Sequence, residues 1–270
     1  LPSALRSADA GALRIQPAHW PLVLLLVGTQ LSLGLLLAAA FGGSQISNLK
    51  SQIHAASAAL FAAALAASVA HLGQPLRAWR VFLGLRRSWL SREAVVLGAA
   101  FPLVALSAAL PWLPVVPLPP ALLDPLLQNS RELGLAAAAL SALGVFCSAL
   151  LYIDTRRHFW RASNTATRMA GTVLVSALAF TWPAAAALFL AVKLALEHAL
   201  LLRSPISARL HTGPLLGPAR LRYGSAALAV LLFAASLPLA AFLAFISGEL
   251  AERLLFFRAV DSPKMPGLPG

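Results

Sequence analysis

The apolar residues of this chain come in blocks of roughly 20. That is the length at which an α-helix crosses the hydrocarbon core of a bilayer. The blocks recur from Trp20 to Phe257 and are broken by short stretches rich in Arg, Pro or Gly. Hydrophobic residues make up 59% of the chain and charged residues 11%, against about 45–50% and about 25% in a soluble domain. Backbone polar groups find no water partner in lipid, so the spanning segments must be helices. The chain is therefore expected to be an all-α integral membrane protein, a single bundle of about eight transmembrane helices with both termini on the same side.

The spans are predicted at 20–41, 50–72, 91–112, 131–153, 166–181, 184–202, 217–235 and 237–258. The stretch from Tyr223 to Phe257 is too long for one helix and is divided at Ser236-Leu237-Pro238. The first block has no cleavage pattern after it and reads as a retained helix, not a signal peptide. Span two, rich in Ala and Ser, reads as central to the bundle, because small residues let helices approach closely in lipid. A kink is expected at Pro102. Residues 113–130 are Pro-rich and read as a surface loop with one short helix.

The net charge of +12 first reports topology in such a chain. Of the 21 Lys and Arg, all but Lys50, Arg131 and Lys193 fall on the face holding the termini and the connectors 2–3, 4–5 and 6–7. The positive-inside rule puts that face in the cytoplasm. Connectors bearing Trp79, Trp89, Phe159 and Trp160 beside their arginines also suit a docked protein, with Arg80, Arg86, Arg87, Arg156, Arg157 and Trp160 as candidate docking residues.

Ionisable groups inside spans are costly and usually functional. Lys193 and Glu197 are spaced to pair at i, i+4, as are Glu249 and Arg253, and Asp154 closes span four. These five are candidates for proton transfer or buried ion pairs. Asp154, Glu197 and Arg253, like His71, Glu93, His198 and Glu252, fall in the half of the bilayer next to the basic face, with Lys193 and Glu249 near the midplane, and a wet cavity open to that face is expected there. The lone cysteine, Cys147, allows no internal disulfide and no iron–sulfur cluster. No metal-ligand spacing appears. Of the histidines, only His71 and His198 could sit at a common depth for a haem.

A pocket for quinone needs an apolar slot, a donor to a ring oxygen and a group that exchanges protons near neutral pH. His71 and Glu93 bracket the connector between spans two and three, with Arg77 as a fixed donor. Three readings follow from the residues alone: a quinone-reactive membrane anchor, a proton-coupled secondary transporter using Lys193, Glu197 and Glu249, and a b-type cytochrome anchor.

The stretch His71-Leu72-Gly73-Gln74-Pro75-Leu76-Arg77-Ala78, followed by Ser88-Trp89-Leu90-Ser91-Arg92-Glu93, resembles the signature of the membrane-anchor subunit of dimethyl-sulfoxide-reductase-type molybdoenzymes. His19-Trp20-Pro21-Leu22 and Gly248-Glu249-Leu250-Ala251-Glu252-Arg253 fit the same family. The resemblance implies a haem- and metal-free anchor in the bacterial inner membrane. It implies exchange of electrons between menaquinone or ubiquinone and a four-cluster ferredoxin-like iron–sulfur subunit, itself joined to a molybdopterin catalytic subunit. It ties His71 and Glu93, and more weakly Arg77, to quinol binding. The basic motif face departs from members whose partners face outward. It points instead to relatives with cytoplasmic catalytic subunits, such as sulfite-oxidising or aromatic acyl-CoA-oxidising enzymes.

Overall fold

The computed structural model describes residues 13–70, 72–115 and 119–260; His71 lies outside them. Among these residues the secondary structure is helical, without strands. The helices are α1 (Trp20–Phe41), α2 (Lys50–Ala70), α3 (Trp89–Ala109), α4 (Pro120–Gln128), α5 (Ser130–Ile153), α6 (Ala162–Leu178), α7 (Pro183–Leu202), α8 (Pro205–Thr212), α9 (Leu216–Ala234) and α10 (Pro238–Arg258). Pro opens α7, α8 and α10 and sits in the first turn of α1, where its missing N–H costs no helical bond. Pro102 lies inside α3, which runs through it. Five segments are long and apolar enough to cross a membrane: Trp20–Phe41, Gly43–Ala70, Trp89–Val115, Ser130–Ile153 and Pro183–Leu202.

Two apolar cores share α1. One joins α1 to α2, α3 and α5 around Phe61, Leu97 and Val104. The other joins α1 to α6, α7, α9 and α10 around Leu31, Leu190, Phe233 and Phe245. The central helix is thus α1, not α2. Of the apolar window of α1, 83% is buried, against 28% for α2. Small residues mark a close contact with one neighbour, and that is what they do in α2. A Cβ on Gly28 of α1 would stand 2.8 Å from Ala64 Cβ, so these two helices touch almost backbone to backbone.

The connectors are more structured than their composition suggests. Pro75–Gly84 forms a 3₁₀ helix, and Pro205–Thr212 an α-helix, within two of the basic stretches. Arg222, within the predicted seventh span, lies inside α9 and is buried.

Candidate functional site

Two polar centres stand inside the bundle, one in each half. The first is built where α3 meets α5. Ser88 caps α3, accepting the Ser91 N–H at 3.3 Å. Arg92, in the first turn, reaches back over the connector. Its Nε donates to the Leu85 carbonyl at 2.9 Å and its Nη2 to the Arg86 carbonyl at 3.0 Å, while its guanidinium lies 4.2 Å from the Trp89 ring centre. The connector is thereby fastened to the head of α3. One residue further on, Glu93 turns inward and is buried, and Ser148 of α5 donates its hydroxyl to Glu93 Oε1. Gly144 makes this approach possible. A Cβ there would stand 2.3 Å from Leu97 Cδ2, so Leu97 packs onto bare backbone one turn below the Glu93–Ser148 contact. Among the described residues, Glu93 Oε2 accepts no hydrogen bond.

A quinone headgroup needs a polar, proton-exchanging group beside apolar walls, and Glu93 with Leu97 offers both. Arg77 is not brought to Glu93: it is exposed, and its Nη1 donates to Gln74 Oε1 at 2.8 Å within the connector. His71 falls outside the described residues. Arg80, Arg86 and Arg87 are exposed, together with Trp79, Phe82 and Leu83.

The second connector looks alike in sequence and is built differently. Arg156 is exposed with a φ of 56°, and Arg157 is half-buried, 4.7 Å from the Trp160 ring centre. Trp160 itself is in the core, which corrects its assignment to a docking face. Its Nε1 donates to the Phe256 carbonyl at 2.8 Å, and its ring stacks on Phe256 at 5.4 Å and meets Tyr152 edge-on at 5.2 Å. An indole with a buried acceptor for its N–H gains more inside than on a polar surface. Asp154, at the end of α5, is exposed and joins no buried pair.

The second centre is a charge network among α1, α6, α7, α9 and α10. Arg222 clasps Glu197 through Nη2 at 2.9 Å and 3.0 Å and reaches Glu249 Oε1 with Nη1 at 2.8 Å. Lys193 Nζ lies 3.2 Å from Glu197 Oε1 and 2.5 Å from Glu249 Oε1. Thr172 donates to the other oxygen of Glu249. Arg168 and Arg253 both pair with Glu252, and Arg253 Nη2 also donates to Gln30 Oε1 at 2.5 Å and to the Arg168 carbonyl at 3.0 Å. Gly171 and Gly248 leave the room these cations fill, since a Cβ would stand 2.8 Å from Lys193 Cδ and 3.2 Å from Arg222 Nη1.

This arrangement departs from sequence expectation in two ways. Glu249 pairs with Lys193 and Arg222 rather than with Arg253 at i+4. The charges are buried against one another instead of lining a cleft open to the basic face. Sequence reasoning misses Arg168 and Arg222, which complete the network. The available signal is that Arg168 falls inside the predicted fifth span and Arg222 inside the predicted seventh. An apolar cleft of about 440 Å³ lies between α1, α9 and α10, lined by Trp20, Leu221, Leu243 and Leu250 among others.

Comparison with known proteins places a family over most of these elements. The family described as DMSO reductase anchor subunit (DmsC) matches residues 16–201, which include Glu93, Ser148, Lys193 and Glu197. A sulfite dehydrogenase subunit of Allochromatium vinosum is 36% identical over 97 residues, covering 36% of this chain and 28% of that protein. The matched stretch is thus well under two thirds of that relative's length.

Proposed function

From the premise that this chain belongs to the DMSO reductase anchor subunit family, we propose that it carries electrons between a docked iron–sulfur subunit and the quinone pool, with Glu93 at the quinone site. It is a multi-pass membrane-anchor subunit of an oxidoreductase. The observation that carries the proposal is the buried carboxylate of Glu93 at the head of α3, directly beneath an exposed basic and aromatic connector. A two-electron quinone couple moves two protons with its two electrons. A buried carboxylate next to an apolar wall can give or take one of them, while the exposed connector is where an electron-carrying partner can come close.

In this reading the partner is a four-cluster ferredoxin-like protein bound to a molybdopterin catalytic subunit. Arg80, Arg86, Arg87 and Arg156 supply positive charge to its docking face, and Trp79, Phe82 and Leu83 supply apolar contact. Eight spans with both termini on the basic, cytoplasmic side complete the topology. The similarity to part of a sulfite dehydrogenase supports the direction of flow into the quinone pool: quinone, two electrons and two protons give quinol.

The test is made on the assembled complex in membranes. Glu93→Gln and His71→Ala should each abolish quinone-linked turnover, with dye-linked activity of the catalytic subunit unchanged. Wild-type quinone-linked rates in both variants would sink the site. Arg86→Glu with Arg87→Glu should instead release the catalytic subunit from membranes.

A further inference from the structure

Glu93 is buried, and a buried carboxylate that changes charge needs a neighbour able to serve both of its forms. Ser148 is that neighbour by geometry. Its hydroxyl carries one proton and has two acceptors in reach: Glu93 Oε1 across the α3–α5 interface, and the Gly144 carbonyl of its own helix at 3.1 Å. With Glu93 ionised, Ser148 donates to the carboxylate. With Glu93 protonated, the carboxylic O–H donates to Ser148 Oγ, and the Ser148 proton turns to the Gly144 carbonyl. In both states the Glu93 oxygen that faces Ser148 and the Ser148 hydroxyl keep a partner, so the change of charge orphans neither of them.

The register that sets this up is specific. Leu97 occupies the space beside Gly144, so α3 and α5 meet at one close point, with Glu93 and Ser148 facing each other one turn away. The other titratable groups around Glu93 are Arg92 beside it on α3, and Cys147 and Tyr152 on α5. Arg92 is committed to the Leu85 and Arg86 carbonyls.

We infer that Ser148 is the positioning residue of Glu93, a two-way hydrogen-bond partner that lets the buried carboxyl exchange a proton without breaking the α3–α5 contact. The inference rests on the reading of Glu93 as the proton-exchanging group of the quinone site.

The experiment follows the carboxyl C=O stretch of Glu93 by infrared difference spectroscopy, as a function of pH, in the assembled complex. The band is assigned by its loss in Glu93→Gln. Ser148→Ala removes the donor that favours the ionised form, so its titration midpoint should move up by about one pH unit, and the pH profile of quinone-linked turnover should move with it. Ser148→Thr keeps the hydroxyl and should titrate as wild type. If Ser148→Ala does not assemble, Ser148→Cys, a weak donor of similar size, takes its place and should shift upward. An unmoved midpoint in Ser148→Ala, or in Ser148→Cys relative to Ser148→Thr, overturns the inference. Because the spectrum needs no quinone, this failure is distinct from that of the site, which would show as quinone-linked turnover surviving in Glu93→Gln.

Discussion

His211 shows how a single buried side chain makes this bundle sensitive to acid. It lies on α8, outside the long helices, with Nδ1 donating to the Ser207 carbonyl at 2.8 Å and its ring edge-on to Phe159 at 6.1 Å. Burial drives its pKa down from 6.5 to about 4, opposed by the Ser207 hydrogen bond. Between those values the unfolded chain binds a proton that the folded one excludes. The His211 contribution is therefore fully present above pH 6.5 and is lost as pH falls toward 4. The loss amounts to roughly 3 kcal/mol at most. In detergent, the thermal midpoint should fall between pH 7 and pH 4.5, and His211→Gln should flatten that fall; an equal fall in both proteins would contradict it. Single residues are the least legible part of the sequence. Trp79 and Trp160 sit in similar basic, aromatic connectors, yet the first is 59% exposed and the second 7%. What separates them is a partner far along the chain, the Phe256 carbonyl, and no local pattern announces it. Ser148 escapes notice for the same reason, its partner lying on another helix 55 residues away.

At the scale of the element, the helices themselves are largely legible. Blocks of apolar residues bounded by Pro and Arg place their ends within a few residues, α6 excepted, because in lipid a helix is the only way to satisfy an isolated backbone. Which helix is central is not legible. Composition favours α2, but the deciding feature is that α1 carries a glycine toward each of two neighbours: Gly28 against α2 and Gly34 against α6. A Cβ on Gly34 would stand 2.3 Å from Ser176 Cβ and 2.6 Å from the Val173 carbonyl. Gly34→Ala must then push α1 and α6 apart, at a cost of about 1–3 kcal/mol. Gly98 of α3 has open space around it, so Gly98→Ala should be neutral or stabilising by up to about 1 kcal/mol. Thermal unfolding of the two variants side by side checks this. Equal melting temperatures would mean that the α1–α6 contact is not the tight one.

At the scale of the whole molecule, the two halves are held by different physics. The α1–α2–α3–α5 half packs on apolar and small residues, with Glu93 and Ser148 as its main inter-helix polar contact near the basic connector. The other half holds Arg168, Lys193, Glu197, Arg222, Glu249, Glu252 and Arg253 in one buried web. The i, i+4 spacing of Lys193 and Glu197 is visible in sequence. The web is not, because Arg222 joins Glu197 to Glu249 from α9, and depth along a helix does not tell which way an arginine turns. Removing one member of such a web leaves opposite charges buried without compensation, which is far more costly than never having placed them. Glu249 is the sharpest case, since it answers both Lys193 and Arg222. Glu249→Leu should cost about 3–5 kcal/mol. Adding Lys193→Met removes one of the two stranded cations and leaves Arg222 with its Glu197 clasp, so the double variant should be more stable than Glu249→Leu alone. The measurement is a double-mutant cycle by thermal unfolding in detergent. A double variant as unstable as the sum of the two singles would show that the pair is not coupled and that the web does not hold this half together.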